Sequence, residues 1–258
     1  MSRTPTEVAD AVSEVFRGVF DQLAAWRTPI EQLLAASAGG VGAAAGGTGA
    51  GASSGEVRPV TLDATVADLV LPRLEEDEPM LVGAGFIADG EVVRGKGVHF
   101  AWWLGPLEDN PVLGSTDGPT RLDLSTRGYT EYLRDFRALE WYRIPATTRH
   151  AHVTGPYVDH LCTCDYILTL TMPVHDADGE RMVGVVGADV AVRTLERALL
   201  AAFLDVEEPL ALVNEHGRVV LSTEPALQVG QLAGPGSGTV PCAGTPFAVR
   251  VRPAASGS

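Results

Sequence analysis

Two apolar runs joined by one tight polar turn constrain this chain more than any other stretch. Residues 166–174 (YILTLTMPV) and 182–192 (MVGVVGADVAV) are rich in β-branched and aliphatic side chains. Between them, Asp176-Ala177-Asp178-Gly179 supplies residues that suit a hairpin turn. The pattern predicts an antiparallel pair, and it recurs. Residues 80–88 and 97–104 form a second pair of strand runs, 210–222 a third with His216-Gly217 at its turn, and 247–252 a last short strand. Strands in consecutive pairs, with helices before and after, point to an antiparallel α+β sheet rather than a parallel α/β fold.

The helices frame that sheet. Thr4, Pro5 and Glu7 read as a cap, a first helical residue and an acid facing the helix dipole. Val8, Val12, Val15, Val19, Leu23, Trp26, Ile30 and Leu33 then recur at mostly three- to four-residue spacing. Pro29 is expected to kink or interrupt this run. Such a stripe either packs on its own domain or pairs with a second copy. Residues 37–56 are dominated by Gly, Ala, Ser and Thr and read as a flexible linker. Residues 65–76, 129–139 and 193–204 read as further helices. The expected organisation is an N-terminal amphipathic helix (1–36), the linker (37–56) and one globular domain (57–253).

Composition excludes several functions. A formal net charge of −14 leaves no basic surface for a phosphate backbone, so nucleic acid is not an expected partner. No segment approaches the ~20 apolar residues of a membrane helix, and the N-terminus lacks a secretory pattern. A cytoplasmic location without membrane contact is expected. Three cysteines make no disulfide framework. No nucleophile elbow, zinc-protease helix, Walker loop or dinucleotide fingerprint occurs, and the turn explains the Asp176/Asp178 pair. Neither enzyme activity nor a cofactor is expected.

The order of short motifs carries a resemblance: Trp141-Tyr142, Gly155-Pro156-Tyr157, a strand ending in Pro173-Val174, then D-x-x-G and G-V-V-G-x-D-V ending at Val190. From about residue 80 to 221 the chain resembles the Cache family, PAS-like small-molecule sensor domains of bacterial chemoreceptors and sensor kinases. The resemblance implies a PAS-like antiparallel sheet of five or six strands with a long N-terminal helix and flanking helices. It also implies a homodimer through that helix. No kinase, methyl-accepting helix or DNA-binding helix pair is read in the sequence, so signalling through a separate regulatory protein is expected.

Candidate site residues follow. By itself, Asp189 reads equally as a ligand contact or as a cap for the helix at 193–204. The resemblance implies that it holds a ligand ammonium. Trp141 and Tyr142 suit core packing or an aromatic box around a cation. Tyr157 matches the family tyrosine after the Gly-Pro turn, and Tyr129 and Trp103 are added to the set. Trp102 and Trp103 must point to opposite sheet faces. The family's carboxylate-clamping Arg would stand where this chain has Leu139, with Arg137 and Arg143 nearby. That favours an amine or another compact molecule over an α-amino acid. Asp159 and Asp165 read as solvated loop residues. The expected function is sensing of a small polar metabolite, an amino acid or an amine-like molecule. The alternative is a metal-dependent enzyme or metal-binding protein using His150, His152, Cys162 and Cys164, although H-x-H and C-x-C spacings suit alternating strand faces.

Overall fold

The computed structural model describes residues 4–39, 56–107, 110, 114–122, 133–159, 163 and 165–252. Its elements are α1 (Pro5–Gly39), α2 (Pro59–Leu74), β1 (Gly83–Val93), β2 (Lys96–Leu104) and β3 (Thr120–Arg121). A 3-10 segment (Leu133–Ala138) leads into α3 (Glu140–Thr148), β4 (His152–Val158), β5 (Tyr166–His175), β6 (Met182–Ala191) and α4 (Val192–Leu204). The short strands β7 (Leu210–Val213), β8 (Val219–Ser222), β9 (Gly238–Pro241) and β10 (Ala248–Val251) follow.

The strands form two antiparallel sheets, one of six in the order β3-β2-β1-β6-β5-β4 and one of four in the order β8-β7-β10-β9. The α+β architecture and the six-stranded sheet agree with the sequence reading. The separate second sheet, built from the 210–222 hairpin and two late strands, goes beyond it.

The helix α1 runs unbroken through Pro29. Trp26, Ile30 and Leu34, on either side of the proline, are buried on one surface, and this holds both halves of the helix in line. Its stripe of Val8, Val12, Phe16, Val19 and Leu23 packs into its own core, with Phe16 against Phe247 of the second sheet at 5.0 Å between ring centroids. In α2, Pro59 stands at the helix start, and Leu62, Val66, Val70 and Leu74 face inward at four-residue spacing. Together these helices cover one face of the large sheet, where Phe86, Trp103, Leu170 and Ala188 are buried. Residues 40–55, which hold most of the expected linker, lie outside the described residues. No helix among the described residues is long and apolar enough to cross a membrane.

The opposite sheet face carries Ile87, Trp102 and Val185 beneath Phe136 and Tyr142. Of the helix expected over 129–139, residues 129–132 lie outside the described residues and Leu133–Ala138 form the 3-10 segment that leads into α3. In α3, Pro145 has no N–H for the carbonyl of Trp141, which would otherwise go unpaired. Thr171 on β5 donates its hydroxyl to that carbonyl at 2.7 Å and so pins the helix to the sheet. Replacing Thr171 with Val keeps the shape and removes the donor. We expect a loss of about 1–3 kcal/mol in chemical denaturation, and an unchanged midpoint would contradict this docking role.

Candidate functional site

Between α3, the large sheet and the β7–β8 turn lies a cavity of about 470 Å³. That size suits a small metabolite. Strand parity decides which residues reach it. Phe100, Trp102 and Leu104 share one face of β2, and Ile167, Thr169 and Thr171 share one face of β5. In one cross-strand row, Thr154 pairs with Thr169, Thr169 with Asp189, and Asp189 with Gly83. A register shift between Thr154 and Tyr157 then changes the parity of β4. Both residues therefore line the same cavity. Gly155 sits at that bulge with φ +122°, where a Cβ would lie 2.8 Å from the Ile167 carbonyl oxygen. The same close approach explains why glycines face Trp102. A Cβ at Gly83 would lie 3.1 Å from the indole Nε1 and 3.2 Å from the Asp189 carboxyl.

The floor of the cavity is acidic. Asp189 is 6% exposed, and its Oδ1 accepts a 2.6 Å hydrogen bond from the Thr169 hydroxyl. Thr169 has one proton to give, so the Tyr157 hydroxyl, 2.6 Å away, donates to it. Burial pushes the Asp189 carboxyl up to about 8, the nearby Asp159 charge adds to the rise, and the Thr169 bond opposes it. Asp159 is 8% exposed and lines the cavity, where the sequence reading had a solvated loop residue. The Thr163 backbone N–H reaches its Oδ2 at 2.9 Å. The walls are apolar: Ile87, Phe100, Trp102, Leu122, Leu139 and Trp141.

Of the residues singled out from the sequence, Trp141, Tyr157 and Asp189 line this cavity. Two do not. Trp103 points to the helix-covered face and packs in the main core, because its register opposite Ala84 places it on the other side from Trp102. Tyr142 is buried beside Phe136 and donates its hydroxyl to Asp89 at 2.5 Å. Arg137 also bonds Asp89, its Nε at 2.8 Å, so that guanidinium is engaged away from the cavity. Burial works to raise the Asp89 carboxyl, but these two hydrogen bonds prevail and hold it below its ordinary value. Tyr129 lies outside the described residues. Leu139 lines the cavity, so the place where the resemblance implies a clamping Arg is apolar. The sequence reading missed Trp102, Asp159, Thr154 and Thr169. The glycines at 83, 85 and 187 were the available signal for Trp102.

Cys162 and Cys164 of the metal alternative lie outside the described residues. The His152 imidazole meets Glu140 at 2.8 Å, and the His150 Nδ1 meets the Thr148 carbonyl at 2.6 Å. Among the described residues, no three metal-ligating side chains converge.

Comparison with known proteins follows the same lines. Residues 119–197 match the family described as methyl-accepting chemotaxis protein-like, first PDC sensor domain. The solved "Methyl-accepting Chemotaxis protein X" superposes with a TM-score of 0.56 at 16% identity, covering 90% of this chain and 74% of that one. The ligand-binding domain of the Pseudomonas aeruginosa amino acid chemoreceptor PctC, in complex with GABA, gives 0.54 at 16% identity, covering 96% and 97%. That of P. aeruginosa PctB with L-Arg gives 0.54 at 14%, covering 95% and 90%. No curated protein matches the sequence significantly. The fold is that of a sensor domain of the Cache, or PDC, type. Within that class, the chain is similar to the ligand-binding domains of bacterial chemoreceptors.

Proposed function

We propose that this protein senses a small ammonium-bearing metabolite, held with its nitrogen at Asp189 and Asp159 and its carbon skeleton against Trp102 and Trp141. The observation that carries this reading is the buried Asp189 carboxyl, which has one hydrogen-bond donor among the described residues and lies near Asp159 in a cavity walled in part by Ile87, Phe100, Trp102 and Trp141. Two acids in one poorly solvated space repel each other, and a cation relieves that repulsion while the indole faces add cation–π attraction. Relatives solved with GABA and L-Arg support an amine-bearing ligand. Leu139 at the clamp position turns the reading away from α-amino acids.

A thermal-shift panel of amines, amino acids, purines and small carboxylates tests this. At a hundredfold excess over its dissociation constant, a ligand adds ~2.7 kcal/mol of stability. Amines should raise Tm in the wild type and not in Asp189→Ala. Stabilisation by anions or purines alone, or by amines equally in both proteins, would count against the reading.

The output of such a sensor passes to a separate signalling or regulatory protein in this proposal, from a cytoplasmic location that cell fractionation checks. With the apolar stripe of α1 buried, a homodimer through the N-terminal helix would use its outer face, around Asp10, Glu14, Arg17 and Asp21. Sedimentation at micromolar concentration should show a dimer that Arg17→Glu weakens. A monomer at every concentration would remove the dimer from the proposal.

A further inference from the structure

The turn between β7 and β8 belongs to the second sheet, yet Asn214, His216 and Arg218 line the cavity of the first. Asn214 builds this overhang. Its Oδ1 accepts from the backbone N–H groups of His216 at 3.0 Å and Arg218 at 2.9 Å, which closes the turn around Gly217 at φ +75°. Its Nδ2 donates to the Gly155 carbonyl at 2.9 Å and ties the turn to the β4 bulge. Arg218 donates through Nη1 to the Gly230 carbonyl at 2.5 Å and makes no ion pair among the described residues. A guanidinium has five N–H donors, so most of its capacity remains. No other Arg and no Lys stands among the described lining residues.

A second, independent observation lies between the two ends. Thr154 is 8% exposed and lines the cavity, and its buried Oγ1 has no hydrogen-bond partner among the described residues. An unpaired buried hydroxyl is costly, and a polar ligand group beside it would remove that cost. Thr154 belongs to the row that runs through Thr169 to Asp189. The Gly155 anchor is therefore two strands from β6, about 9–10 Å across the sheet.

We infer that the cavity recognises ω-amino acids, the ammonium at Asp189 and the carboxylate at Arg218 and Thr154, with the second sheet supplying the anion-binding half of the site. This rests on the ammonium reading of Asp189 and deepens it. An α-amino acid carries both charges on a single carbon and reaches one end or the other. A chain of three to five carbons reaches both, and its methylenes lie along the apolar walls. Bridging also ties the first sheet to the second through the ligand, so occupancy adds to the tie that Asn214 makes to the β4 bulge.

The test compares butylamine, 5-aminovalerate and glycine by calorimetric titration into the full chain, its Arg218→Ala and Thr154→Val variants, each with Tm measured in parallel. The expected order for the wild type is 5-aminovalerate at least tenfold tighter than butylamine, with glycine weakest. In Arg218→Ala the ratio of 5-aminovalerate to butylamine affinity should fall to about one, and Thr154→Val should reduce it in part. Butylamine binding as tightly as 5-aminovalerate to the wild type would overturn this inference and leave the ammonium site standing. A ratio unchanged in Arg218→Ala would do the same. No binding by either amine would overturn both.

Discussion

Replacing Asp189 with Asn should remove the response to cationic ligands and stabilise the empty protein at alkaline pH. The first effect follows from the site. A neutral amide leaves an ammonium with no full charge at the floor beyond Asp159, and hydrogen bonds to charged groups contribute about 1.5–3 kcal/mol. At least a tenfold loss of affinity is expected. The second effect follows from burial. Asp189 is 6% exposed, sits near Asp159 and has one hydrogen-bond donor among the described residues, the Thr169 hydroxyl. A charge held in that way costs stability once the carboxyl ionises. At pH 9 the Asn variant should exceed the wild type by at least ~1 kcal/mol, about 2–4 °C in Tm for a chain this size. A variant less stable than the wild type at pH 9 would show that the carboxylate has a compensating partner.

The pH dependence is the second large effect. Burial raises the folded carboxyl of Asp189 to about 8, against an ordinary value of 3.8. Between those values the folded protein keeps a proton that the unfolded chain has released. Its stabilising contribution is therefore complete below about pH 4 and is lost as pH rises through 8, at up to about 1.4 kcal/mol per unit. Ligand affinity runs the other way. A cation needs the ionised carboxylate, so below pH 8 its apparent affinity should fall about tenfold per unit, roughly a hundredfold by pH 6. Simple amines stay protonated across this window. Asp159→Asn removes one cause of the rise and should move both dependences to lower pH. Affinity that is flat from pH 6 to 9 would contradict the account of Asp189.

The hairpins were legible because β-branched and aliphatic runs bounded by turn residues are local signals. The helix read over 193–204 was a local signal of its own and stands at Val192–Leu204. The site was legible only in part. Asp189 stood out as an acid in an apolar run, and Tyr157 and Trp141 stood out as aromatics beside turns. Which of Trp102 and Trp103 faces the cavity depends on register across β1, a non-local fact. Tyr142 and Arg137 are taken up by Asp89, 48 or more residues away, and no spacing rule finds such a partner. The helix α3 was obscured by Pro145, because the Thr171 hydroxyl that takes up the freed carbonyl comes from another element. Asp159 looked like a loop acid because its burial depends on strands that fold around it. The second sheet's contribution through Asn214 was likewise invisible, since β7 and β8 read as a hairpin with no stated destination.

The most direct test of the central claim is a crystal structure grown with the amine that stabilises the protein most. The account predicts its nitrogen within about 2.7–3.1 Å of the Asp189 carboxyl, with its carbon chain between Trp102 and Trp141. A ligand outside this cavity, or one inside it that turns its nitrogen away from Asp189, would contradict the account.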